Sequence, residues 1–433
     1  MSLLKSKRQL IYLGICFTLL IGGCQHNKKK IISKEEKNIY RDIFTKEEKT
    51  TGTAEFNLTE NVKIDAQVTP IDKYKNGLKK FYMKHYFETK DLNDINEFMK
   101  KPTLFGKDLS VIMSMLSEKL SGKFYKKPRF DAYDNKAKEI IARSTFQDKN
   151  GNLYTFNTSW GTGDDRYGYD KGVYCPIMYI RLEEKSKAMS TQIEHKILQY
   201  LKDFKNMEVS FIKDKRQTGE ELKDYLEKLL GRDLSDTWDC IPVTEESIVA
   251  LNNVYQTDIT HLESKQEYCS YRYYYDVKGF PYTESYLSYQ LKEGETASKL
   301  ARMSTPNNTL IGLCNPSIMC HLSKEGIIAL DINNIRMEGD VYKEAEQVVD
   351  SNAILNKIKI FYEKQILIRP VTVTEVNIVY TGYFTDGNEG EIQPTVAPFW
   401  RVKVYNNDSN GSQFFFYDAF TGEAIVEGIT AME

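Results

Sequence analysis

Few residues in this 433-residue chain have the type and spacing that chemistry needs. Cys24 is the first of them. It follows Ile21, Gly22 and Gly23 at the end of an apolar run (10–21), which Lys5, Lys7 and Arg8 precede. A positive segment, a short apolar segment and small residues, in that order, make an export signal. The run is about half the ~20 residues that a membrane-crossing helix needs.

The other clusters are weaker. Cys314 to His321 (CNPSIMCH) suggests metal ligation. Its cysteine spacing fits no common zinc knuckle, and no second Cys or His pair follows. A packed loop is the better reading. None of the five histidines stands in HExxH spacing. Ser159-Trp160-Gly161-Thr162-Gly163 lacks the GxSxG order of a nucleophile elbow. The acidic glycine loop at 161–172, with Asp164, Asp165 and Asp170, could hold Ca²⁺ through clustered carboxylates. It lacks the regular D-x-D-x-D-G spacing and reads as a solvated loop. The stretch DGNEGE at 386–391 fails in the same way. Tyr271, Tyr273 and Tyr275 could stack on sugars, but their alternation fits an aromatic ladder on a sheet face. The expectation is no metal, no cofactor and no catalytic residue.

Composition narrows the classes. The chain has 59 basic and 61 acidic side chains, a net charge of −2. Removing residues 1–23 takes away three cations and no anion, which leaves −5. No basic stretch is interleaved with aromatics, so nucleic-acid binding has no electrostatic footprint. Beyond Cys16 and Cys24 stand Cys175, Cys240, Cys269, Cys314 and Cys320. Five is odd, so no complete disulfide framework fits one chain. Cys314 and Cys320 could pair across Asn315-Pro316, for modest stabilisation. Free, half-buried thiols are expected, with their redox state left open.

The elements that would position these residues follow from hydrophobic periodicity. Phe56 and Leu58, then Val62, Ile64, Ala66 and Val68, alternate as one or two strands. Leu78, Phe81, Tyr82 and Tyr86 have helical spacing. Leu109, Ile112, Leu116 and Leu120 predict a helix capped by Asp108. Residues 140–154 read as a hairpin turning at Asn150-Gly151. Ile193, Ile197, Leu201 and Phe204 make one helical stripe. Leu222, Leu226, Leu229 and Leu230 make another, opened by a Thr218/Glu221 capping box. Ile248, Leu251 and Tyr255 make a third. MEVSFI at 207–212 reads as a strand, and 268–291 as a hairpin turning at Gly279. Ser351 is expected to cap a helix with Ile354, Ile358 and Phe361. Strands at 371–384, 397–405 and 413–417 follow.

The expected fold class is α+β: two or more modules of antiparallel sheet packed against helices, after a signal peptide and a flexible tether. The boundaries are a signal at 1–23, a disordered tether at 24–52, an N-terminal α+β region at 53–185, a middle α+β region at 186–340 and a C-terminal α-β-β-β module at 341–433. The tether, with KKK at 28–30 and two KEEK runs, buries too little to offset its ordering entropy.

Three resemblances add to this. Ile21-Gly22-Gly23-Cys24 resembles the lipobox of bacterial lipoproteins. That implies cleavage between Gly23 and Cys24, lipidation of the Cys24 thiol by diacylglycerol, and attachment to the membrane on its extracytoplasmic face. The terminal hairpin PFWRVKVYNNDSNGSQFFFYDAFTGE (398–423) is similar to the closing hairpin of PepSY-type domains, through Trp400, Val402, Val404, Asp418, Ala419, Gly422 and Glu423. There Asp418 would bond the turn backbone and Gly422 take a positive φ. The whole chain resembles an uncharacterised family of Gram-positive lipoproteins, a domain of unknown function, whose implied role is regulatory or interactive.

The leading expectation is therefore a non-enzymatic binding or regulatory lipoprotein of the cell envelope. A protein or peptide partner would add a strand at a sheet edge near Val402 or Tyr273. One alternative is a substrate-binding lipoprotein of a transport system, although the required alternation of buried parallel strands and helices is missing. The other is an unrecognised hydrolase using a pair among Asp164, Asp165 and Glu183.

Overall fold

The computed structural model describes residues 52–74, 77–84, 87–88, 100–101, 103–104, 106–120, 122–124, 129–133, 139–162, 172–182, 207–255, 267–283, 317–333, 337–345, 347–386, 392–407 and 411–430. Cys24 and Gly23, the tether up to residue 51, the acidic loop with Asp164, Asp165 and Asp170, Glu183, the stripe from Ile193 to Phe204 and Cys314 lie outside them.

Sheet outweighs helix. The described residues begin with β1 (Thr53–Thr59), β2 (Val62–Val68), the single turn α1 (Ile71–Tyr74), β3 (Lys79–Lys84) and β4 (Phe87–Glu88). The small pair β5 (Thr103–Leu104) and β6 (Lys107–Asp108) leads into helix α2 (Leu109–Lys119). Then come β7 (Gly122–Phe124), β8 (Arg129–Tyr133), β9 (Glu139–Asp148), β10 (Leu153–Thr162) and β11 (Gly172–Leu182). Helix α3 (Lys215–Leu230), β12 (Leu234–Val243) and α4 (Glu245–Tyr255) precede β13 (Tyr268–Val277) and β14 (Phe280–Tyr282). After β15 (Ser317–Ser323), β16 (Gly326–Asn333) and β17 (Met337–Glu344), helix α5 (Ser351–Glu363) leads to β18 (Val371–Asp386), β19 (Ile392–Asn406), β20 (Gly411–Asp418) and β21 (Ala424–Thr430).

Among the described residues, nineteen strands join through shared pairings, and β5–β6 stand apart. The long hairpin β18–β19 is the spine. Its first half runs parallel to β2 at residues 371–376, and β2 in turn pairs with β1. Its closing half pairs with β20, which pairs with β21. Further along, Tyr380 of β18 meets Tyr282 of β14, while Thr395 and Val396 of β19 meet β3. β17 flanks β3. A second run of pairings is antiparallel throughout: β12, β13, β15, β16, β11, β10 and β9. The parallel contacts of β18 make the whole mixed rather than purely antiparallel. The fold is a sheet-dominated α+β arrangement.

The core follows the alternation. Val371, Val373, Val376, Trp400, Val402, Val404, Phe415 and Tyr417 are buried around Ile354, Leu355, Ile358 and Tyr362 of α5. Trp400 Nε1 donates to Val349 O at 2.8 Å, and Tyr74 meets the Trp400 indole edge-on at 5.4 Å.

Several local expectations change. Residues 79–84, expected in a helix, form β3, since pairing with β17 and β19 outweighs the helical spacing of Leu78, Phe81 and Tyr82; Tyr86 lies outside the described residues. Residues 207–212 form a turn closed by Ile212 N to Val209 O at 3.0 Å, not a strand. Asp350, not Ser351, caps α5 by accepting from Asn352 N at 2.8 Å. Asp214, not Thr218, caps α3, four residues before the expected cap, accepting from Gln217 N at 2.9 Å. Val402 and Tyr273 lie on strands paired on both sides, so neither offers a free edge. Among the described residues β1 has a partner only in β2. No helix among them is long and apolar enough to cross a membrane.

Candidate functional site

β13 is buried on both faces, and strict alternation gives those faces different chemistry. Cys269, Tyr271, Tyr273 and Tyr275 lie on one side. Helix α3 covers them. Tyr271 OH donates to Lys215 O at 3.2 Å and Tyr273 OH to Gly219 O at 2.8 Å. Trp238 of β12 packs 5.7 Å and 6.2 Å from the two rings, centroid to centroid. The tyrosine ladder is therefore core, with no open ring face for a sugar. The turn that ends β13 puts Lys278 at φ +57° and Gly279 at φ +85°, the paired positive values of a two-residue hairpin loop.

The other side carries Ser270, Arg272 and Tyr274, and here the polar groups gather. One cross-strand row runs Ser270, His321, Ala329, Arg181. The next runs Asp239, Arg272, Met319, Asp331. Ser270 Oγ lies 2.6 Å from His321 Nδ1. His321 Nε2 lies 3.7 Å from Asp331 Oδ2. Arg181 then grips Asp331 with two bonds, Nη2 to Oδ2 at 2.8 Å and Nε to Oδ1 at 3.2 Å. Tyr274 OH donates to Asp239 Oδ2 at 2.6 Å, and the Arg272 guanidinium sits 5.3 Å from the Tyr274 ring centroid. The field of the Asp239 carboxylate reaches Arg401 of β19, whose Nη2 donates to Glu375 Oε2 at 2.7 Å.

Burial and charge oppose each other along this strip. Burial pushes the Asp331 carboxyl up, but the facing His321 and Arg181 outweigh it and hold the group below its ordinary value. Glu375 is depressed in the same way, with burial offset by Arg401 and Lys403. Burial raises the Tyr274 phenol well above its ordinary value.

Serine, histidine and aspartate in this order suggest a nucleophile, with Ser270 bonded to His321 and Asp331 at ion-pair distance beyond. The setting does not. A nucleophilic serine needs exposure, usually on a sharp turn, and nearby donors for an oxyanion. Ser270 is 0 % exposed in mid-strand, between β12 and β15. The set is a buried charge network that reaches solvent at Arg181, whose side chain is 36 % exposed. Sequence reasoning missed it because its members lie on separate strands. The one local signal was the polar series Ser270, Arg272, Tyr274 interleaved with the tyrosines.

The CNPSIMCH segment reaches the structure as strand rather than loop from Ser317 onward. Cys320 and His321 are buried on opposite faces of β15, so they cannot share a metal. Among the described residues no group of three His, Cys, Asp or Glu side chains could hold one. The backbone at Cys175 lies in β11. At the terminal hairpin, Asp418 Oδ1 accepts from Phe420 N at 2.8 Å and from Thr421 N at 3.2 Å. Gly422 sits at φ +70° and donates its N–H to Asp418 O at 2.7 Å. The second carboxylate oxygen of Asp418 pairs with Lys80 of β3, and both side chains are buried.

No family model and no curated protein matches the chain. Its fold is similar to that of an uncharacterized protein from Eubacterium rectale, known from a crystal structure. The TM-score is 0.50 and the identity 13 %, over 86 % of this chain and 93 % of that one. At that identity the likeness is one of fold.

Proposed function

We propose that this chain is an extracytoplasmic lipoprotein, held on the cell membrane by diacylglycerol on Cys24, that binds a protein or peptide partner and carries out no catalysis. The observation that carries the reading is the ending Ile21-Gly22-Gly23-Cys24 after a positive segment and a short apolar run. Two acyl chains hold a protein stably where one does not. The charged tether at 24–52 spaces the folded part from the lipid, and that part comprises sheet modules packed on helices. The sealed position of Ser270, His321 and Asp331 favours binding over hydrolysis. Strand addition needs an edge, and among the described residues β1 pairs with β2 alone. It carries one charged side chain, Glu55, and no proline to blunt pairing.

Metabolic labelling with a palmitate analogue tests the anchor. Wild type takes up label and sediments with membranes, whereas Cys24→Ser loses the label and leaves the membrane fraction. An unlabelled wild type with an intact amino terminus, found among cytosolic proteins, would falsify the reading. Crosslinking in cells through a photoreactive residue at position 55 tests the partner: one reproducible adduct supports it, and none rejects it.

A further inference from the structure

Cys240 and Cys269 sit diagonally across the β12–β13 pair, with their Sγ atoms 3.0 Å apart. That gap exceeds a disulfide bond by only about 1 Å. Both side chains lie on the tyrosine face, where the sheet already fixes the two backbones side by side. Their exposure differs: Cys269 is 0 % exposed, and Cys240 is half-buried at the margin of the core.

We propose that Cys240 and Cys269 are an oxidisable dithiol that closes into a cross-strand disulfide by exchange with a small-molecule disulfide. Accessibility orders the steps. The Cys240 thiolate attacks one sulfur of the incoming disulfide and expels the other as a thiolate, which leaves a mixed disulfide on Cys240. Cys269 then gives up its proton and attacks the Cys240 sulfur, expelling the second thiolate. The protein loses two protons and two electrons, and the small disulfide takes them up to become two thiols. The surroundings suit these roles. A hydrogen bond from Cys269 lowers the Cys240 thiol despite burial, with help from Lys215 and Tyr271. Cys269 is raised, by that same bond and by its burial. Cys320, on the same face, is 0 % exposed and pushed up to about 12 by burial, so it stays reduced.

Closure ties β12 to β13 and staples the excursion through α4 between them. The inference does not depend on lipid at Cys24, because it is read on purified protein. The reduced full-length chain is incubated with oxidised glutathione, alkylated with iodoacetamide and digested without reduction. The expected product is a peptide pair joined through Cys240 and Cys269, with Cys320 alkylated only after denaturation. Hydrogen exchange along β12 should slow in the oxidised form. Cys269→Ser should leave Cys240 as a lasting glutathione adduct, and Cys240→Ser should leave Cys269 unmodified. Full alkylation of both cysteines in the wild type overturns the proposal, as does a bridge from either one to Cys175, Cys314 or Cys320. The wild-type map decides the matter even if a variant fails to fold.

Discussion

Gly219 is where α3 comes closest to the sheet, and replacing it with alanine sets two known effects against each other. A Cβ at that position would lie 2.5 Å from Trp238 Cη2, 2.6 Å from Cζ2 and 2.9 Å from Cζ3. Helix propensity alone favours alanine over glycine by about 1 kcal/mol. Overpacking a well-filled core costs roughly 1–3 kcal/mol. The helix cannot simply slide away, because Tyr273 OH donates to the Gly219 carbonyl at 2.8 Å. Breaking that bond would cost about 1 kcal/mol more. The indole is half-buried and packs against Tyr271 and Tyr273, which limits its rotation toward them. Gly219→Ala should therefore destabilise the wild type by about 1–2 kcal/mol, the opposite of what propensity predicts. In a Trp238→Leu background the obstacle is gone, and the same substitution should stabilise by up to ~1 kcal/mol. The assay is a double-mutant cycle on urea midpoints, read by far-ultraviolet circular dichroism because the tryptophan signal changes. Hydrogen exchange of α3 amides locates the effect. Additive behaviour within about 0.5 kcal/mol would mean that the glycine and the indole do not compete for space, and the packing argument would fail.

Three further outcomes follow from the charged and turn residues. Asp331 has a folded pKa below its unfolded one. Its contribution is thus full above the ordinary carboxylate range and is lost as pH falls through the folded value. Acid titration of the unfolding midpoint should be flatter in Asp331→Asn than in wild type, and equal slopes would contradict the pairing. Lys80→Met leaves the Asp418 carboxylate buried without its cation, at a cost of about 3–5 kcal/mol. Adding Asp418→Asn should recover part of that loss, because the amide oxygen still accepts from Phe420 N and Thr421 N; no recovery in the urea midpoint would refute it. Gly422→Ala forces a left-handed φ of +70° on a side chain and sets its Cβ 3.3 Å from Val349 Cγ1. A loss of roughly 1–2 kcal/mol is expected, and an unchanged midpoint would count against the turn geometry.

What the sequence discloses depends on how far apart the deciding partners are. Helices α2 and α3 and the β9–β10 hairpin carry their own signals: apolar residues at helical spacing, the capping Asp108 of α2, an Asn-Gly turn. β3 carries none that is decisive. Leu78, Phe81 and Tyr82 have helical spacing, and the strand is imposed by β17 and β19, far along the chain. Lys80 shows the same dependence in its chemistry, for a lysine in an apolar stretch reads as solvent-facing until Asp418 arrives to bury it. The polar network is the extreme case. Ser270, His321, Asp331 and Arg181 come from four strands, and no two share a local motif. Yet β13 does announce something. Its tyrosines take every second position, and serine, arginine and tyrosine fill the positions between. A strand with bulky aromatics on one face and hydrogen-bonding groups on the other must find cover for both, because an exposed face would need no such ordered partners. The parity of β13 thus implies two buried surfaces of different character. One holds the thiols under α3, and the other holds charge.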